Sequence, residues 1–439
     1  MSRAVANMRI HLGLLLAACA LWAYPGSAQQ IVLSTYVGGP KADALTGAAV
    51  RPDGSVVVGG YTGAAHSPDK GEKLEGGQRL IRVFGPSGKV LAQETLPGRI
   101  NDLDADQGGE IYVTGSGGSM KLDSSLKTLW TSDVGGEGAR IRHGPKGGAV
   151  VLTQKRICVL TAAGKVAGEF PVSGGYVEDV ACDVKLGLIF VCGFDNKRGT
   201  PPRQRNYPVQ VAFVRAYDLG GKQAWAAYGW KGQDVADLEL MADTRGYRLA
   251  LGRDGKLYLG GESAGGNTMW MRSSLDLKQP VNQVKGDQFQ NAYNTSANHI
   301  SAVVRLDPKT GASEMATLLL ARLASKGNKG NTLRMRAIAA DEQGNVYVGG
   351  PSAFSPPKSP GSFGREGGGA YLVAFDKSFR RTYATTLAGD GATNAVAVGY
   401  GSLVAVGECK TELATYNPLK AAGDAEGDGF AALFRLPSE

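Results

Sequence analysis

The chain alternates short apolar runs with turn-forming residues, and one such segment recurs seven times. Each copy consists of Gly, a small or polar residue and a β-rich run that ends near Gly, as in 344–350 (GNVYVGG) and 255–261 (GKLYLGG). Another apolar run precedes each copy across a turn in which Asp and Gly provide the tight backbone geometry. The pattern predicts a β-hairpin, whose strands we call a and b. The seven copies occupy 54–60, 109–115, 148–153, 187–193, 255–261, 344–350 and 401–407.

Two further strands complete each repeat. An apolar run, strand c, follows the hairpin either directly or after an insertion, as at 80–84 and 371–375. After another turn, strand d closes the unit, as at 379–387. Four strands with a smallest spacing of 39 residues between copies (109 to 148) are typical of propeller blades of about 40–50 residues. We therefore predict an all-β fold, a seven-bladed β-propeller with four-stranded antiparallel blades.

The two ends of the chain fit this count. The seventh copy is followed by a strand c at 430–436 and by no strand d, whereas 31–39 is a strand with no hairpin of its own. We predict that the N-terminal strand closes the last blade, which removes an exposed sheet edge. The predicted blades occupy about 43–96, 99–135, 139–173, 176–230, 246–321, 333–388, and 393–436 plus 31–39.

The hairpin at 341–350 (DEQGNVYVGG) resembles the repeat of the bacterial secreted seven-bladed β-propeller family, the SBBP type. Blades 3 and 7 depart from that repeat, because they lack the Asp before the turn and the aromatic residue in strand b. The resemblance implies a propeller fold and an extracytoplasmic setting. It implies no activity, because a fold does not determine a function.

Residues 1–28 have the pattern of a secretory signal peptide. Arg3 and Arg9 precede a short apolar stretch at 12–23, and the small residues at 26–28 predict a cut before Gln29. A stretch of this length is too short to span a bilayer core of about 30 Å. A second interpretation is a lipoprotein, because 16–19 (LAAC) has the form of a lipoprotein box in which Cys19 would be lipidated. We predict a secreted, periplasmic or cell-envelope protein.

Composition excludes several classes of protein. The 439 residues are 43% hydrophobic and 20% charged, which argues against wholesale disorder. The 64 glycines show no three-residue period, which excludes collagen. The formal net charge of +8 falls to about +6 when the two arginines of the signal are removed, which is mild for a chain of this length. We therefore expect no nucleic-acid partner.

Four cysteines follow the signal peptide. They permit two disulfides in three pairings, and no spacing among them is typical of a zinc site. Cys182 and Cys192 flank the a–b turn of blade 4, which leaves a disulfide between them open. The alternative is buried free thiols. The four are Cys158, Cys182, Cys192 and Cys409.

The insertions concentrate in one kind of connection. In an up-and-down blade the b–c and d–a connections share one face of the disc, and the a–b and c–d turns share the other. Loops on a rigid scaffold commonly carry binding residues. We call the first face the decorated face and predict that it binds a glycan or protein ligand. Its insertions are 62–78, 195–210, 262–299, 351–369 and 408–428 between strands b and c, and 231–245 between strands d and a.

Two groups of side chains in these insertions are the candidate ligand contacts. The first is basic and suits an anion or an acidic glycan; it consists of Lys197, Arg198, Arg203 and Arg205. The second suits sugar stacking or a protein contact; it consists of Trp270, Phe289, Tyr293 and His299. The structural alternatives are a solvated loop for the first group and a cover for the blade edge for the second.

One segment loosely resembles a calcium loop. Asp424, Glu426 and Asp428 have the spacing of the first ligands, but the position of the bidentate carboxylate falls on Arg435 in a predicted strand. We therefore predict no cofactor and leave calcium open at these three residues.

Catalytic motifs of the common nucleophile, metal and phosphate types do not occur in the sequence. The leading prediction is a non-catalytic binding or assembly module, monomeric and without a transmembrane segment. The alternative is a glycan hydrolase or lyase with carboxylates at the propeller mouth; a quinone-dependent dehydrogenase is a third, weaker option. The candidate carboxylates are Asp43, Asp102, Glu178, Asp179 and Asp237.

Overall fold

Seven antiparallel sheets follow one another along the chain and form a ring. The computed structural model describes residues 29–66, 74–284, 298–323, 329–354, 356, 358–424 and 426–437. Six of these seven sheets have four strands, and the fifth carries one additional short parallel strand; a separate two-stranded sheet lies between the fifth and sixth along the described chain. The prediction of an all-β seven-bladed propeller is confirmed.

The strands in chain order are β1 (Gln30–Val37), β2 (Ala42–Val50), β3 (Val56–His66), β4 (Leu74–Phe84), β5 (Val90–Pro97), β6 (Ile100–Ala105), β7 (Ile111–Gly115), β8 (Gly118–Leu122), β9 (Thr128–Ser132), β10 (Arg140–His143), β11 (Ala149–Leu152), β12 (Arg156–Leu160), β13 (Val166–Pro171), β14 (Tyr176–Asp183), β15 (Leu188–Gly199), β16 (Tyr207–Asp218), β17 (Gln223–Tyr228), β18 (Thr244–Leu251), β19 (Leu257–Ser263), β20 (Gln283–Val284), β21 (Ile300–Leu306), β22 (Ser313–Leu319), β23 (Ala321–Leu323), β24 (Lys329–Asn331), β25 (Ala337–Ala340), β26 (Val346–Ser352), β27 (Gly369–Phe375), β28 (Arg381–Ala388), β29 (Gly391–Gly399), β30 (Ser402–Cys409) and β31 (Asp428–Arg435). One short helix, α1 (Gly232–Asp237), follows β17.

The N-terminal strand closes the ring, as predicted. The last blade has the order β29-β30-β31-β1, so the first and last strands of the fold pair side by side. Tyr36 is opposite Phe430 in this pair, and its hydroxyl accepts the backbone N–H of Leu413 at 2.8 Å. The closure leaves no open edge between the first and last blades.

The recurring Asp–Gly turn has a specific hydrogen-bond pattern. In blade 6, Asp341 accepts the backbone N–H groups of Gln343 and Asn345, and Gly344 adopts a φ of +80°. The Tyr347 hydroxyl donates to the same carboxylate at 3.1 Å, which explains why the aromatic residue of strand b accompanies the Asp. The pair recurs in two other blades as Asp106–Tyr112 and Asp254–Tyr258.

A glycine at the end of strand b recurs because strand a lies too close for a side chain. A Cβ on Gly60 would clash with the carbonyl oxygen of Ala44, and one on Gly193 would clash with that of Tyr176. The same clash with strand a occurs at Gly115, Gly350 and Gly407. The glycines therefore permit an irregular path at the start of strand a.

The insertions pack on one another on the decorated face. Helix α1 lies against the hairpin of β15 and β16, where the Gln233 side chain accepts the backbone N–H of Thr200 at 3.1 Å. The backbone N–H of Ala264 donates to Asp243 at 2.9 Å and joins the blade 5 insertion to the connection before blade 5. Among the described residues, no helix has the length and apolar character to cross a bilayer.

Candidate functional site

The innermost strands of all seven blades surround a central channel. Strands β2, β6, β10, β14, β18, β25 and β29 line a cavity of about 600 Å³. This volume is within the usual range of small-molecule sites, about 300–1,000 Å³. The channel is therefore the first candidate for a binding site.

The channel has two chemically different walls. Blades 6, 7 and 1 line it below the mouth with small apolar side chains, among which Ala48, Ala339, Ala395 and Ala397 are half-buried. Blades 2 to 5 contribute most of its charged side chains, among which are Asp102, Asp104, Arg140, Arg142, His143, Asp179 and Arg248. The channel is amphipathic across its width.

A β-bulge shapes strand a at the same level in several blades. In five blades strand a has, at this level, a residue without a partner in strand b; these residues are Thr46, Asn101, Glu178, Tyr247 and Asn394. A bulge changes the direction of the side chains that follow it. Asp102, Asp179 and Arg248 come directly after a bulge, so the charged wall begins where the strands turn.

Two aspartates share one arginine between blades 2 and 4. Nη1 of Arg142 donates to Oδ2 of Asp102 at 2.5 Å, and its Nη2 lies 3.3 Å from Oδ1 of Asp179. The side chain of Asp179 is 1% exposed. Burial of a carboxylate is costly unless a cation and hydrogen bonds compensate it. The arginine therefore has a structural role for both acids.

The same aspartates bind the backbone of the next blade. Oδ2 of Asp102 accepts the N–H of Ile141 at 3.0 Å, and Oδ2 of Asp179 accepts that of Leu249 at 3.0 Å. The bonds join neighbouring innermost strands, which are not paired in one sheet. These carboxylates hold the ring together.

An Asp–His pair lies deeper in the channel. Oδ2 of Asp104 lies 2.8 Å from Nδ1 of His143 and also accepts the backbone N–H of His143 at 2.8 Å. Burial raises the pKa of Asp104, but the charge of His143 and its hydrogen bond outweigh burial and lower this pKa to about 2. The charge of Asp104 in turn raises the pKa of His143.

The opposite end of the channel is spanned by one side chain. Arg253 follows strand a of blade 5, and its Nε donates to the carbonyl oxygen of Val398 in blade 7 at 3.1 Å. Its guanidinium carbon lies 4.1 Å from the ring centroid of Tyr400. Blades 5 and 7 are not neighbours, so the side chain crosses the ring. Arg253 therefore joins blades 5 and 7 at this end of the channel.

An aromatic platform lies at the other end, on the decorated face. Tyr176 begins strand a of blade 4 and stacks on Phe194, with ring centroids 4.5 Å apart at 17°. Phe194 contacts Tyr247 edge to face at 6.2 Å, and Arg245 lies 5.9 Å from the Phe194 ring. Phe194 is 6% exposed, whereas Tyr176 is 47% exposed. The platform presents one aromatic ring to solvent on a rigid support.

The predicted basic group does not converge on one site. Lys197 pairs with Asp195 at 3.2 Å, and Nε of Arg198 donates to the Asn206 side chain at 2.6 Å. Successive side chains of a strand point to opposite faces, so Lys197 and Arg198 diverge. Both are engaged within their own hairpin.

The other two basic residues are free to contact a ligand at the tip of this hairpin. Arg203 and Arg205 are exposed. Arg203 adopts a φ of +60°, and Arg205 lies over the ring of Tyr207 at 5.2 Å. Their positions suit contact with a ligand at the edge of the decorated face, away from the central channel.

The structure does not place the predicted aromatic group on a ligand-accessible surface. Trp270 is fully buried and its Nε1 donates to the carbonyl oxygen of Glu262 at 2.9 Å, so the prediction of a ligand contact is wrong for this residue. It packs in the core because the blade 5 insertion folds back over its own blade. Phe289 and Tyr293 lie outside the described residues.

His299 is part of a buried ionic cluster on the decorated face. Its Nδ1 lies 2.7 Å from Oε1 of Glu262, which also pairs with Arg245 and Arg334. Burial raises the pKa of Glu262, but the His299 hydrogen bond and the charges around it lower it below its usual value. The His299 side chain is 24% exposed, so it remains a candidate contact.

The remaining mouth carboxylates differ in their surroundings. Asp43 accepts the backbone N–H groups of Gly39 and Gly63, each at 2.8 Å. Asp237 is exposed on α1 and accepts from Gln233 at 2.7 Å. Burial raises the pKa of Glu178, while Arg248 and Arg140 oppose this effect.

The structure keeps Cys182 and Cys192 as free thiols. Cys182 is opposite Ile189 and Cys192 is opposite Asp179, three positions apart along the ladder. Cys182 packs between blades 3 and 4, and Cys192 packs between blades 4 and 5, so the two side chains lie on opposite faces of the sheet. The disulfide that the sequence permits between Cys182 and Cys192 is therefore not formed. All four cysteines of the described chain are buried and free.

A lysine occupies the position proposed for calcium. Nζ of Lys420 donates to Oδ2 of Asp424 and Oδ1 of Asp428, both at 2.6 Å. Within the described residues, no group of three or more His, Cys, Asp or Glu side chains has an arrangement that could hold a metal ion. Glu426 takes no part in the cluster that Lys420 organises.

The sequence reasoning missed Arg140, Arg142, Arg248 and Tyr176. A comparison of equivalent positions would have found two of them, Arg140 and Arg248. Asp102, Arg140, Asp179 and Arg248 occupy the same level of strand a in blades 2 to 5, whereas blades 6 and 7 have Ala337 and Ala395 there.

No protein-family model matches the chain, and no curated protein matches it either. The resemblance to the SBBP repeat therefore remains an expectation that rests on the hairpin residues.

Proposed function

We propose that the protein is a non-catalytic binding module that binds a glycan on the decorated face, beside the mouth of the channel. The observation that carries the proposal is the exposure of Tyr176 while its ring is stacked on Phe194. A supported aromatic face provides apolar contact area at little conformational cost, because the ring is already immobilised. A protein ligand is the second outcome that the test below distinguishes.

The surroundings of the platform support the proposal. The insertions of blades 4 and 5 pack on one another around it, and Arg203 and Arg205 extend the same side with exposed positive charge. Rigid scaffolds that carry elaborated loops on one face commonly use that face for binding. An acidic glycan would gain from the arginines, and this part of its affinity would fall with ionic strength.

The alternative of a glycan hydrolase or lyase requires two carboxylates that face the ligand. Asp43, Asp102 and Asp179 accept backbone N–H bonds that hold the fold, and Asp237 lies outside the channel lining. Glu178 also lies outside the channel lining, and burial raises its pKa. The five candidate carboxylates therefore supply no pair that faces a ligand in the channel, which favours binding over hydrolysis.

We also propose an extracytoplasmic location, on the basis of the signal pattern in 1–28. The mass of the exported chain tests it. A mature N-terminus at Gln29 supports a soluble protein, a lipid-modified N-terminus at Cys19 supports an anchored one, and an uncleaved chain in the cytoplasm contradicts the proposal.

Binding to an array of acidic and neutral polysaccharides tests the function, with protein microarrays as the second arm. The Tyr176→Ala variant should lose most of the glycan signal. Tyr400→Ala is the matched control, because Tyr400 is 39% exposed on the opposite face. Equal signals from both variants and the parent, or release of sugar products, would overturn the proposal.

A further inference from the structure

Arg248 lines the channel with a guanidinium that has no carboxylate hydrogen-bond partner among the described residues. Its Nε donates to the carbonyl oxygen of Arg336 at 2.6 Å, and its Nη1 donates to that of Tyr247 at 2.7 Å. Both acceptors are neutral. The charge of Arg248 is therefore uncompensated by direct pairing, and the guanidinium keeps further N–H donors.

Arg140, in the same arc of the channel, is also weakly bonded. Its Nη1 lies 3.5 Å from the carbonyl oxygens of Asn101 and Ala139, which is the limit of a hydrogen bond. Its buried Nε makes no hydrogen bond within the described chain and lies 3.5 Å from Asp179. A buried donor without a good acceptor is costly, and an external anion would relieve that cost.

The two aspartates at this level of the channel are already bonded to a third arginine. Arg142 already binds both Asp102 and Asp179, so three guanidinium groups face two carboxylates. Burial and the nearby charge of Arg140 lower the pKa of Arg248 to about 10. Burial raises the pKa of Glu178, the other acid near the two arginines, and the charges of Arg248 and Arg140 oppose this effect.

The alanine-lined wall of the channel, opposite the arginines, suits an apolar part of a ligand. Half-buried Ala339, Ala395 and Ala397 leave an apolar surface because their side chains are too small to fill the ring. Arg140 and Arg248 lie near the start of strand a, on the side of the decorated face, so a ligand would reach them from that face. The cavity of about 600 Å³ has room for a small molecule.

We propose that the channel binds a small amphipathic carboxylate, whose anionic group lies on Arg140 and Arg248 and whose apolar body lies on the alanine wall. Arginine is well suited to this task because its planar donors match a carboxylate in two parallel hydrogen bonds. The site lies inside the ring and does not depend on glycan binding at the platform. A variant that loses one of these two binding activities should therefore keep the other.

Isothermal titration calorimetry of the mature protein tests this with decanoate, decyltrimethylammonium and acetate. Decanoate should bind with one-to-one stoichiometry. The ammonium has the same chain with the opposite charge, and acetate has the charge without the chain, so both should bind at least about tenfold more weakly. Arg248→Gln and Arg140→Gln should each weaken decanoate binding about tenfold or more, because each removes charge-assisted hydrogen bonds.

Two further variants separate binding from folding. Ala395→Phe adds bulk to the apolar wall without a change in charge and should abolish decanoate binding. Arg380→Gln is the control, because its side chain is 78% exposed on the outer surface. If Arg248→Gln does not fold, Ala395→Phe and the ammonium comparison decide the matter. Equal affinity for the two ten-carbon ligands, no binding of decanoate, or full binding to the folded Ala395→Phe variant would overturn the proposal.

Discussion

The guanidinium of Arg253 donates a hydrogen bond to the carbonyl oxygen of Val50 across the ring, with Nη2 3.3 Å from the oxygen. The two residues belong to blades 5 and 1, which are separated by two blades on the shorter path around the ring. Together with the bond to Val398, this contact joins three blades at the end of the channel. The side chain therefore ties distant parts of the ring together.

Replacement of Arg253 by Ala should destabilise the propeller. Two hydrogen bonds from a charged group to partly buried carbonyl oxygens are lost, which we expect to cost about 1–3 kcal/mol. The midpoint of urea unfolding should fall accordingly. Arg380→Ala, a change on the exposed surface, should alter stability by less than about 0.5 kcal/mol. Equal midpoints for the two variants would show that Arg253 does not support the ring.

The pair of His143 and Asp104 should make stability depend on pH. Because the pKa of His143 is raised in the folded protein, its contribution is full below the unfolded value of about 6.5 and is lost as pH rises through the folded pKa. Because the pKa of Asp104 is lowered to about 2, its contribution is present above about 3.9 and is lost as pH falls towards that lower value.

The pair therefore stabilises the protein most between about pH 4 and pH 6.5. His143→Gln should reduce the free energy of unfolding most near pH 5.5 and least near pH 9, as measured by urea unfolding at about these values. A difference from the parent that stays constant, or that grows at the alkaline end, would contradict the pairing.

Lys420 should act as the cation of its own acidic cluster. Asp428 is 1% exposed, so Lys420→Met leaves a buried carboxylate without its charge partner and should lower the thermal unfolding temperature. Millimolar calcium or a chelator should leave the unfolding temperature of the parent unchanged. A rise of that temperature with calcium would restore the metal interpretation.

The four cysteines that the structure describes should be free and unreactive in the native protein. Burial raises the pKa of Cys182 to about 12 and that of Cys409 to about 12, which disfavours the reactive thiolate. Mass spectrometry after alkylation without reductant should show little labelling in buffer and four labels in denaturant. A peptide that links Cys182 to Cys192 would refute the register described above.

The architecture is readable from the sequence because its determinants are local. The Asp341 turn, the Tyr347 hydroxyl that binds it and the glycine at the end of strand b all lie within ten residues. The closure by β1 follows from one surplus strand and one missing strand. These features need no knowledge of which blades meet across the ring.

The site is harder to read because its determinants are not local. A bulge in strand a decides that Asp179 lies beside Leu249, and the alternation of polar and apolar residues does not reveal bulges. The residues that flank Trp270 have the composition of a surface loop, yet Trp270 itself is completely buried within the insertion. Arg253 reaches partners 145 and 203 positions away, which no spacing rule connects.

The central claim is that the decorated face binds the ligand. Hydrogen exchange of the protein with and without the polysaccharide selected on the array tests it most directly. We predict that protection increases at 174–178, 195–210 and 244–248, around Tyr176 and its neighbours, and that the a–b turns at 51–55, 184–187 and 252–255 are unchanged. Protection confined to those turns, on the opposite face, would contradict the account.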